Sequence, residues 1–426
     1  MRLVKNPSRS EWQELIRRPD FDQSVIQDSV QNILSEVGSN GDKALLDFTN
    51  RFDQVKLKEL RIDLGEINPK LDRKLKDAID LAIRNVEKFH RSQISQPKKI
   101  TTSDGVECWR KSLPIDCVGL YIPGGTAPLL SSLIMLGVPA MIAGCREITV
   151  CTPPASNGEI NPAIIYIAKK LGIDTIYPIG GAQAVAAMAY GTETVPKVDK
   201  IFGPGNRYVT LAKQMAQQSG TAIDMPAGPS EVLVIADASS NPSFVAADLL
   251  SQAEHGSDSQ VVLVLSEEAG NLDNFMNEVE VEISDQLEKL PRKEMASRAL
   301  ENSLTVTFPS EDLAMEFSNS YAPEHLILTT RNPSNLAEKV RIAGSVFIGQ
   351  WSCESLGDYA SGTNHTLPTN AYARNYSGVS LDSFVNKITF QEVTREGIKS
   401  IGPAVELLAE AEGLQAHKNA VSIRLK

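Results

Sequence analysis

The spacing of apolar and polar positions predicts helices that alternate with short strands over most of the chain. In residues 24–52 and 69–94, apolar side chains recur every three or four positions with charges between them, the pattern of amphipathic helices. Farther on, short apolar runs alternate with helical segments. The predicted strands are 118–122, 147–152, 174–179, 200–202, 231–236, 260–265, 304–308, 326–329 and 345–349. The further predicted helices are 131–144, 161–171, 182–189, 208–217, 242–255, 271–290, 311–321 and 336–343.

This alternation predicts an α/β fold with mostly parallel sheets covered by helices on both faces. Ligand sites in such sheets gather at the carboxyl ends of the strands. Three glycine turns follow predicted strands, at Gly124-Gly125, Gly180-Gly181 and Gly203-Pro204-Gly205. The full Gly-x-Gly-x-x-Gly fingerprint is absent, so nucleotide contact and ordinary turn glycine explain these turns equally well.

The last fifty residues have a different pattern. Residues 377–394 are extended and residues 401–413 have the spacing of an amphipathic helix. The same segment carries Glu412 and His417, which are polar groups of the kind found in active sites. We therefore expect an arm that reaches into a site elsewhere, on this chain or on a partner subunit.

Composition and charge exclude several classes of protein. The net charge is −11 and there is no basic block, which argues against binding to nucleic acid or to an acidic membrane surface. The five cysteines include no Cys-x-x-Cys pair, which indicates a reducing compartment without a disulfide framework or a thiolate zinc site. The polar N-terminus does not resemble a secretory signal, and the apolar run 129–145 is too short and too broken to span a bilayer. We expect a cytoplasmic protein.

Four of the five histidines lie in polar motifs. They are His255, His325, His365 and His417, and each has a carboxylate or an amide within a few residues. Imidazole beside such groups can hold a metal or move protons near neutral pH. An ordinary structural role explains one such histidine readily, but explains all four together poorly.

Gln252 and His255 are three positions apart near the end of a predicted helix, which places them on one face. An imidazole and an amide oxygen can hold zinc weakly, and further oxygen or nitrogen ligands are needed. Asp358 and His417 are the natural candidates. The alternative is that Gln252 and His255 only cap the helix.

Glu324 and His325 lie between a predicted helix and a predicted strand, where both side chains can face one substrate. The histidine can take a proton from a hydroxyl group and the carboxylate can activate water. A salt bridge at the end of the helix is the other interpretation. Cys353 is the one cysteine in a polar motif and could form a thioester, although no histidine adjoins it.

Taken in order along the chain, these motifs resemble those of the histidinol dehydrogenase family. The resemblance covers nearly the whole chain, and the blocks 223–231 and 252–256 are the most specific. The matching segments are Tyr121-Ile122-Pro123-Gly124-Gly125, Gly180-Gly181-Ala182-Gln183-Ala184, 200–206, 223–231, 250–256, Pro323-Glu324-His325, Gly357-Asp358-Tyr359, 361–365 and His417-Lys418-Asn419-Ala420.

The resemblance implies a homodimeric enzyme that oxidises L-histidinol to L-histidine through L-histidinal, with two NAD⁺ and one Zn²⁺ per subunit. The implied zinc ligands are Gln252, His255, Asp358 and His417, the last from the other subunit. His325 corresponds to the base, and Glu324 to the group that activates water.

The resemblance also implies substrate and cofactor sites. The implied substrate-binding residues are Ser230, Gln252, His255, His325, Asp358, His365, Glu412 and His417, and the implied NAD contacts are Tyr121, Gln183 and Asn206. The expected organisation is two incomplete Rossmann-like domains with small terminal segments. Residues 22–120 and 231–375 form the substrate and zinc domain, 121–230 the NAD domain, 1–21 an N-terminal segment and 376–426 the arm.

Three other functions fit parts of the sequence. An aldehyde dehydrogenase that uses Cys353 would survive metal removal and would be lost in Cys353→Ala. A metal-dependent hydrolase would turn over without NAD. A zinc-binding protein without enzymatic activity would show no turnover.

Overall fold

The computed structural model describes residues 1–18, 24–124 and 128–426. Gly125, in the first predicted glycine turn, and the expected boundary after residue 21 lie outside these residues. The strands are β1 (Arg2–Lys5), β2 (Ile62–Asp63), β3 (Ile100–Ser103), β4 (Val106–Pro114), β5 (Cys117–Tyr121), β6 (Glu147–Cys151), β7 (Thr175–Tyr177), β8 (Lys200–Phe202), β9 (Ala222–Ile223), β10 (Glu231–Ala236), β11 (Gln260–Ser266), β12 (Leu304–Phe308), β13 (His325–Leu328), β14 (Ser345–Ile348) and β15 (Val385–Val393).

The α-helices cover most of the segments between the strands. They are α1 (Arg9–Leu15), α2 (Ser24–Phe48), α3 (Arg73–Arg91), α4 (Leu130–Ala143), α5 (Pro162–Lys170), α6 (Gly181–Tyr190), α7 (Arg207–Gln218), α8 (Pro242–Ala253), α9 (Leu272–Leu287), α10 (Lys293–Glu301), α11 (Glu311–Tyr321), α12 (Pro333–Ala337), α13 (Glu354–Tyr359), α14 (Arg395–Ala411) and α15 (Gln415–Leu425). A π turn, Thr49–Asp53, continues α2.

Two six-stranded sheets organise the chain, which confirms the predicted α/β class with mostly parallel sheets. The first sheet has the order β1-β12-β11-β10-β13-β14 and is parallel throughout. The second has the order β2-β7-β6-β5-β8-β9 and is parallel except where β2 joins β7. A third, antiparallel sheet has the order β15-β4-β3.

The central strands are apolar because both faces of each sheet are covered. In β10, Val232 and Val234 belong to one core of the first sheet, whereas Leu233 and Ile235 belong to the core on its other face. Successive side chains of a strand point to opposite faces, so a strand covered on both sides is apolar at every position. This explains why the sequence shows continuous apolar runs there.

Helices α2 and α3 pack on opposite faces of the second sheet. Helix α2 contributes Val30 and Leu34 to a core of the second sheet, and α3 contributes Ile79 and Val86 to the other core of that sheet. Both helices therefore pack on the second sheet, and α3 also reaches residues 231–375, since Asn85 donates to the Ala360 carbonyl at 2.7 Å. The expected division into domains stays a prediction. The apolar stripes of α2 and α3 reveal that these helices pack, but not on which sheet.

The C-terminal segment is tied to the body through the third sheet, in which β15 pairs with β4 over nine positions. The predicted helix 401–413 begins earlier, at Arg395, and a second helix, α15, follows it. The predicted helix 336–343 is replaced by the shorter α12. Leu407, Leu408 and Ile423 of the two C-terminal helices are exposed.

Across the part of the chain that the structure describes, no helix combines the length and the apolar character needed to cross a membrane.

Candidate active site

A cleft of about 830 Å³ lies where the edges of the two large sheets approach each other. The second sheet contributes Pro123, after β5, and Asn206, after β8. The first sheet contributes Ser230, just before β10, and His325, the first residue of β13. The expected location at the carboxyl ends of strands therefore holds for the second sheet, whereas the first sheet presents its amino ends.

The cleft brings together most of the site residues predicted from the sequence. Those lining it are Asn206, Ser230, Gln252, His255, Glu324, His325, Asp358 and His365. Four predicted residues are not in this wall. Tyr121 and Gln183 are buried, and the Tyr121 hydroxyl accepts a hydrogen bond from the Gly181 N–H at 3.2 Å. Glu412 and His417 are exposed on the C-terminal segment.

Glu324 and His325 are held by the main chain of Glu231 on the neighbouring strand. The Glu231 N–H donates to Glu324 Oε2 at 2.8 Å, and His325 Nδ1 lies 3.1 Å from the Glu231 carbonyl oxygen. Because a carbonyl can only accept, Nδ1 carries the proton of this hydrogen bond. His325 Nε2 is buried without a hydrogen-bond partner and lies 3.6 Å from Asp358 Oδ1.

The pKa values of Glu324 and His325 are both raised, and each side chain influences the other. Burial alone would lower the pKa of His325, but Glu324 and Asp358 outweigh it, so the pKa stands well above its ordinary value. Burial raises the pKa of Glu324, against the opposing effect of His325. Such displaced pKa values in a cleft are typical of proton-transfer sites.

Gln252 lies in the last turn of helix α8 and points into the same cluster. The Gln252 side-chain amide is oriented so that both its nitrogen and its oxygen form hydrogen bonds. The nitrogen donates to Glu354 Oε1 at 2.9 Å, and the oxygen accepts from the Glu231 N–H at 3.0 Å. The Ser251 hydroxyl also donates to Glu354 Oε1, at 2.8 Å. Burial raises the pKa of Glu354 to about 8. Glu354 was not predicted from the sequence, in which Cys353 is the more distinctive residue of that motif.

Cys353 is half-buried and precedes the first residue of α13. Its side chain is not among those that line the cleft. This position gives no support to a thioester mechanism.

The donor atoms of the cleft suit a borderline cation such as zinc, which takes nitrogen and oxygen ligands. Desolvation by the cleft walls lowers the pKa of His255, which favours the neutral imidazole that a metal needs. Burial alone would raise the pKa of Asp358, but His325, His365 and His255 lower it. Asp358 Oδ1 is buried without a hydrogen-bond partner.

The described residues of one chain do not complete a metal site by themselves. Within residues 1–18, 24–124 and 128–426, no group of three His, Cys, Asp or Glu side chains is arranged to hold a metal ion. His255, Asp358 and the Gln252 amide therefore fit a metal only as part of a larger ligand set.

His365 lines another side of the cleft, and its Nε2 lies 3.1 Å from the Ser131 hydroxyl of α4. The preceding Asn364 anchors this loop by donating to the Met135 carbonyl at 2.6 Å. Asn364 also contacts His90 Nε2 at 3.4 Å. The one histidine outside the polar motifs thus has a structural role in the loop that carries His365.

Comparison with known proteins gives consistent matches over the whole length. A sequence model of the histidinol dehydrogenase family matches residues 16–425. The chain is 56% identical over 428 residues to histidinol dehydrogenase of Bacteroides thetaiotaomicron, covering 100% of this chain and 99% of the relative. It is 51% identical over 422 residues to the chloroplastic histidinol dehydrogenase of Arabidopsis thaliana, covering 98% and 90%. A crystal structure of histidinol dehydrogenase from Elizabethkingia anophelis matches with a TM-score of 0.96 and 54% identity, covering 100% and 98%.

Proposed function

Because the chain belongs to the histidinol dehydrogenase family and is therefore an oxidoreductase of histidine biosynthesis, we propose that it oxidises L-histidinol to L-histidine by way of L-histidinal. The reaction consumes two NAD⁺ and depends on zinc. The observation that carries the proposal is the buried Glu324–His325 pair, which opens into a cleft with His255 and Asp358.

His325 is the base that takes the proton from the substrate hydroxyl group. Its Nδ1–H is held by the Glu231 carbonyl, which leaves Nε2 as the atom available for proton transfer. The high pKa of His325 reflects Glu324 and Asp358. A cation beside Asp358 would weaken that attraction and lower the pKa of His325 towards the range useful for a base.

Glu324 activates the water that hydrates the aldehyde, so that a second oxidation can follow. Burial raises its pKa, which makes this carboxylate a better proton acceptor than an exposed one. The separate tasks of the two residues follow from the chemistry, since an alcohol needs a base and an aldehyde needs a water molecule before it can lose hydride.

The residues that would hold zinc are Gln252, His255 and Asp358, together with His417 from the arm of a partner subunit. The incomplete ligand set within one chain and the exposed position of His417 support this division. When held by these residues, zinc would supply a positive charge that attracts the nitrogen donors of the substrate. Ser230, His365 and Glu412 are the further substrate contacts.

The part of the cleft formed by described residues between 121 and 230 would hold NAD⁺, which would supply the hydride acceptor for each oxidation. Asn206 lines the cleft and caps helix α7 by accepting from the Tyr208 and Val209 N–H groups. Tyr121 and Gln183 are buried and do not line the cleft, so contact with NAD⁺ requires either a change of side-chain position or an indirect role. The cytoplasmic location stays a prediction.

Metal removal tests the zinc requirement. The protein is treated exhaustively with a chelator, the loss of metal is verified by elemental analysis, and turnover of L-histidinol with NAD⁺ is measured before and after zinc is returned. We expect activity to disappear and to return with zinc. Unchanged activity in a verified metal-free protein would contradict a role for the metal.

A further inference from the structure

Arg18, in the wall of the cleft, forms a buried ion pair with Glu231. The two side chains are 9% and 1% exposed. Arg18 Nε and Nη2 donate to the two carboxylate oxygens of Glu231 at 3.0 and 2.8 Å. The guanidinium carbon also lies 3.6 Å from the centre of the Tyr321 ring. A planar guanidinium held by two hydrogen bonds and a ring has little freedom to move.

The carboxylate of Glu231 has a further donor from a distant part of the chain. The Asn370 N–H donates to Glu231 Oε1 at 2.7 Å. The N-terminal segment and the loop after His365 therefore both fix this one side chain. Both oxygens of this buried carboxylate accept hydrogen bonds. Burying the charged pair costs more free energy than burying apolar side chains of the same size, so we expect a role beyond packing.

The main chain of the same residue binds the two proposed catalytic residues. Its N–H donates to Glu324 and its carbonyl accepts from His325 Nδ1, at 2.8 and 3.1 Å. The Glu231 N–H is also 3.0 Å from the amide oxygen of Gln252. Any displacement of Glu231 would therefore displace the groups that move protons.

We propose that Glu231 is a positioning residue for the Glu324–His325 pair, and that Arg18 locks it in place through its side chain. This inference rests on the proposed function for its effect on turnover. Misplacement of a reacting group by about 1 Å can cost about a hundredfold in rate. The lock therefore acts on kcat, because the main chain of Glu231 orients groups that act in the chemical steps.

The first test is Arg18→Lys, which keeps the positive charge but removes the planar fork and the ring contact. We expect kcat for both L-histidinol and L-histidinal to fall at least about tenfold, with KM for both substrates and for NAD⁺ unchanged. Arg9→Lys is the matched control, because Arg9 ties the same N-terminal segment to Glu316 at the surface. We expect that control to retain the wild-type kcat.

The second test observes His325 without relying on turnover. The chain has five histidines, so ¹⁵N-histidine labelling gives few imidazole signals, and His325→Asn assigns the one of interest. In the wild-type protein supplied with zinc, we expect a slowly exchanging Nδ1–H proton of His325, hydrogen-bonded to Glu231. In Arg18→Lys, the same proton should exchange faster.

If Arg18→Lys does not fold, the same measurements are made on the double variant Arg18→Met/Glu231→Gln, which removes both buried charges. Wild-type kcat in the folded variants would overturn the inference. A lower kcat with an unchanged His325 Nδ1–H would also overturn it, because the effect would then not pass through His325. Failure of the proposed function is distinguishable, since the wild-type protein itself would not oxidise L-histidinol.

Discussion

At the scale of single residues, the chemistry depends on which nitrogen of His325 faces the cleft. The Glu231 carbonyl fixes the proton on Nδ1 and leaves Nε2 without a protein partner. Glu324 is held through the N–H of the same residue. The main chain of Glu231 therefore orients both Glu324 and His325. Each of the two side chains can then serve a different step.

Substitutions of the pair should separate the two oxidations. His325→Asn should slow the oxidation of both L-histidinol and L-histidinal by on the order of a hundredfold or more, because a general base is lost. Glu324→Gln should slow the L-histidinal step most. Single-turnover measurements with each substrate test this, with Cys353→Ala as a control expected to keep most activity. If both variants oxidise L-histidinal at the wild-type rate, the assignment of roles is wrong.

Asp248 in α8 should make stability depend on pH. Burial raises the pKa of this carboxyl from 3.8 to about 7 in the folded chain. Between these values the unfolded chain is ionised while the folded chain holds the proton, so the stabilisation present at low pH is lost as the pH rises through about 7. The loss could reach about 4 kcal/mol, at about 1.4 kcal/mol per pKa unit.

The measurement is the thermal midpoint of wild type and of Asp248→Asn between about pH 5 and 8. The variant cannot ionise, so its midpoint should rise relative to the wild type as the pH increases. A difference that stays constant over this range would show that Asp248 does not carry the effect.

The sequence predicted candidate site residues that lie in polar motifs. It did not predict the residues whose side chains hold those motifs in position. His255, His325, Asp358 and His365 were predicted because rare or charged side chains stand out within a few positions of one another. Arg18 was not predicted, because its partner is 213 positions away and no local pattern connects them. Such partners become visible only when the fold brings distant segments together.

At the scale of elements, the turn after β8 is held by a buried ion pair. Lys213 contacts Asp224 and donates to the Gly203 carbonyl at 2.9 Å, while Asp224 accepts from the Gly203 N–H at 2.8 Å. Gly203 has a φ of +134°, and a Cβ there would lie 2.1 Å from the Tyr121 carbonyl oxygen. The turn that leads to Asn206 is thus set by its neighbours as well as by its glycine.

Lys213→Met should weaken binding of NAD⁺ more than binding of L-histidinol, because it releases the turn that carries Asn206. We expect KM for NAD⁺ to rise on the order of tenfold and KM for L-histidinol to change little. Lys169→Met is the matched control, since Lys169 donates to three carbonyls of another loop, those of Leu64, Gly65 and Ile67.

Fluorescence titration with NADH measures the binding directly, and circular dichroism shows whether each variant folds. Equal weakening of NADH binding in both lysine variants would mean that the effect is general destabilisation.

The sequence predicted nine of the twelve strands described in the two large sheets, because buried parallel strands are apolar throughout. It missed β1, β2 and β9, which lie at sheet edges. It missed β4, whose side chains are mostly half-buried or exposed and whose partner β15 begins at Val385. It also missed α15, in which no residue is buried, so no apolar stripe marks the helix.

At the scale of the whole molecule, the C-terminal helices present exposed apolar side chains while His417 and Glu412 lie outside the cleft of their own chain. These observations support the proposal that each arm completes the site of a partner subunit. The sheet on which α2 and α3 pack could not be predicted from the sequence, because their apolar stripes would fit either large sheet.

Mixed dimers test whether the arm crosses. His255→Ala and His417→Ala should each be nearly inactive alone. In a mixed dimer, one site receives both substitutions and the other receives neither. Random pairing makes about half of the dimers mixed, each with one intact site, so unfolding and refolding the variants together should restore about a quarter of wild-type activity. No recovery, with mixed dimers shown to be present, would mean that His417 serves its own chain.

The yield of NADH per molecule of L-histidinol consumed shows whether one cleft carries out the whole four-electron oxidation. With zinc present and NAD⁺ in excess, the account predicts two NADH and one L-histidine for each L-histidinol, and no NADH after verified metal removal. A yield of one NADH with release of L-histidinal, or the same yield from metal-free protein, would contradict it.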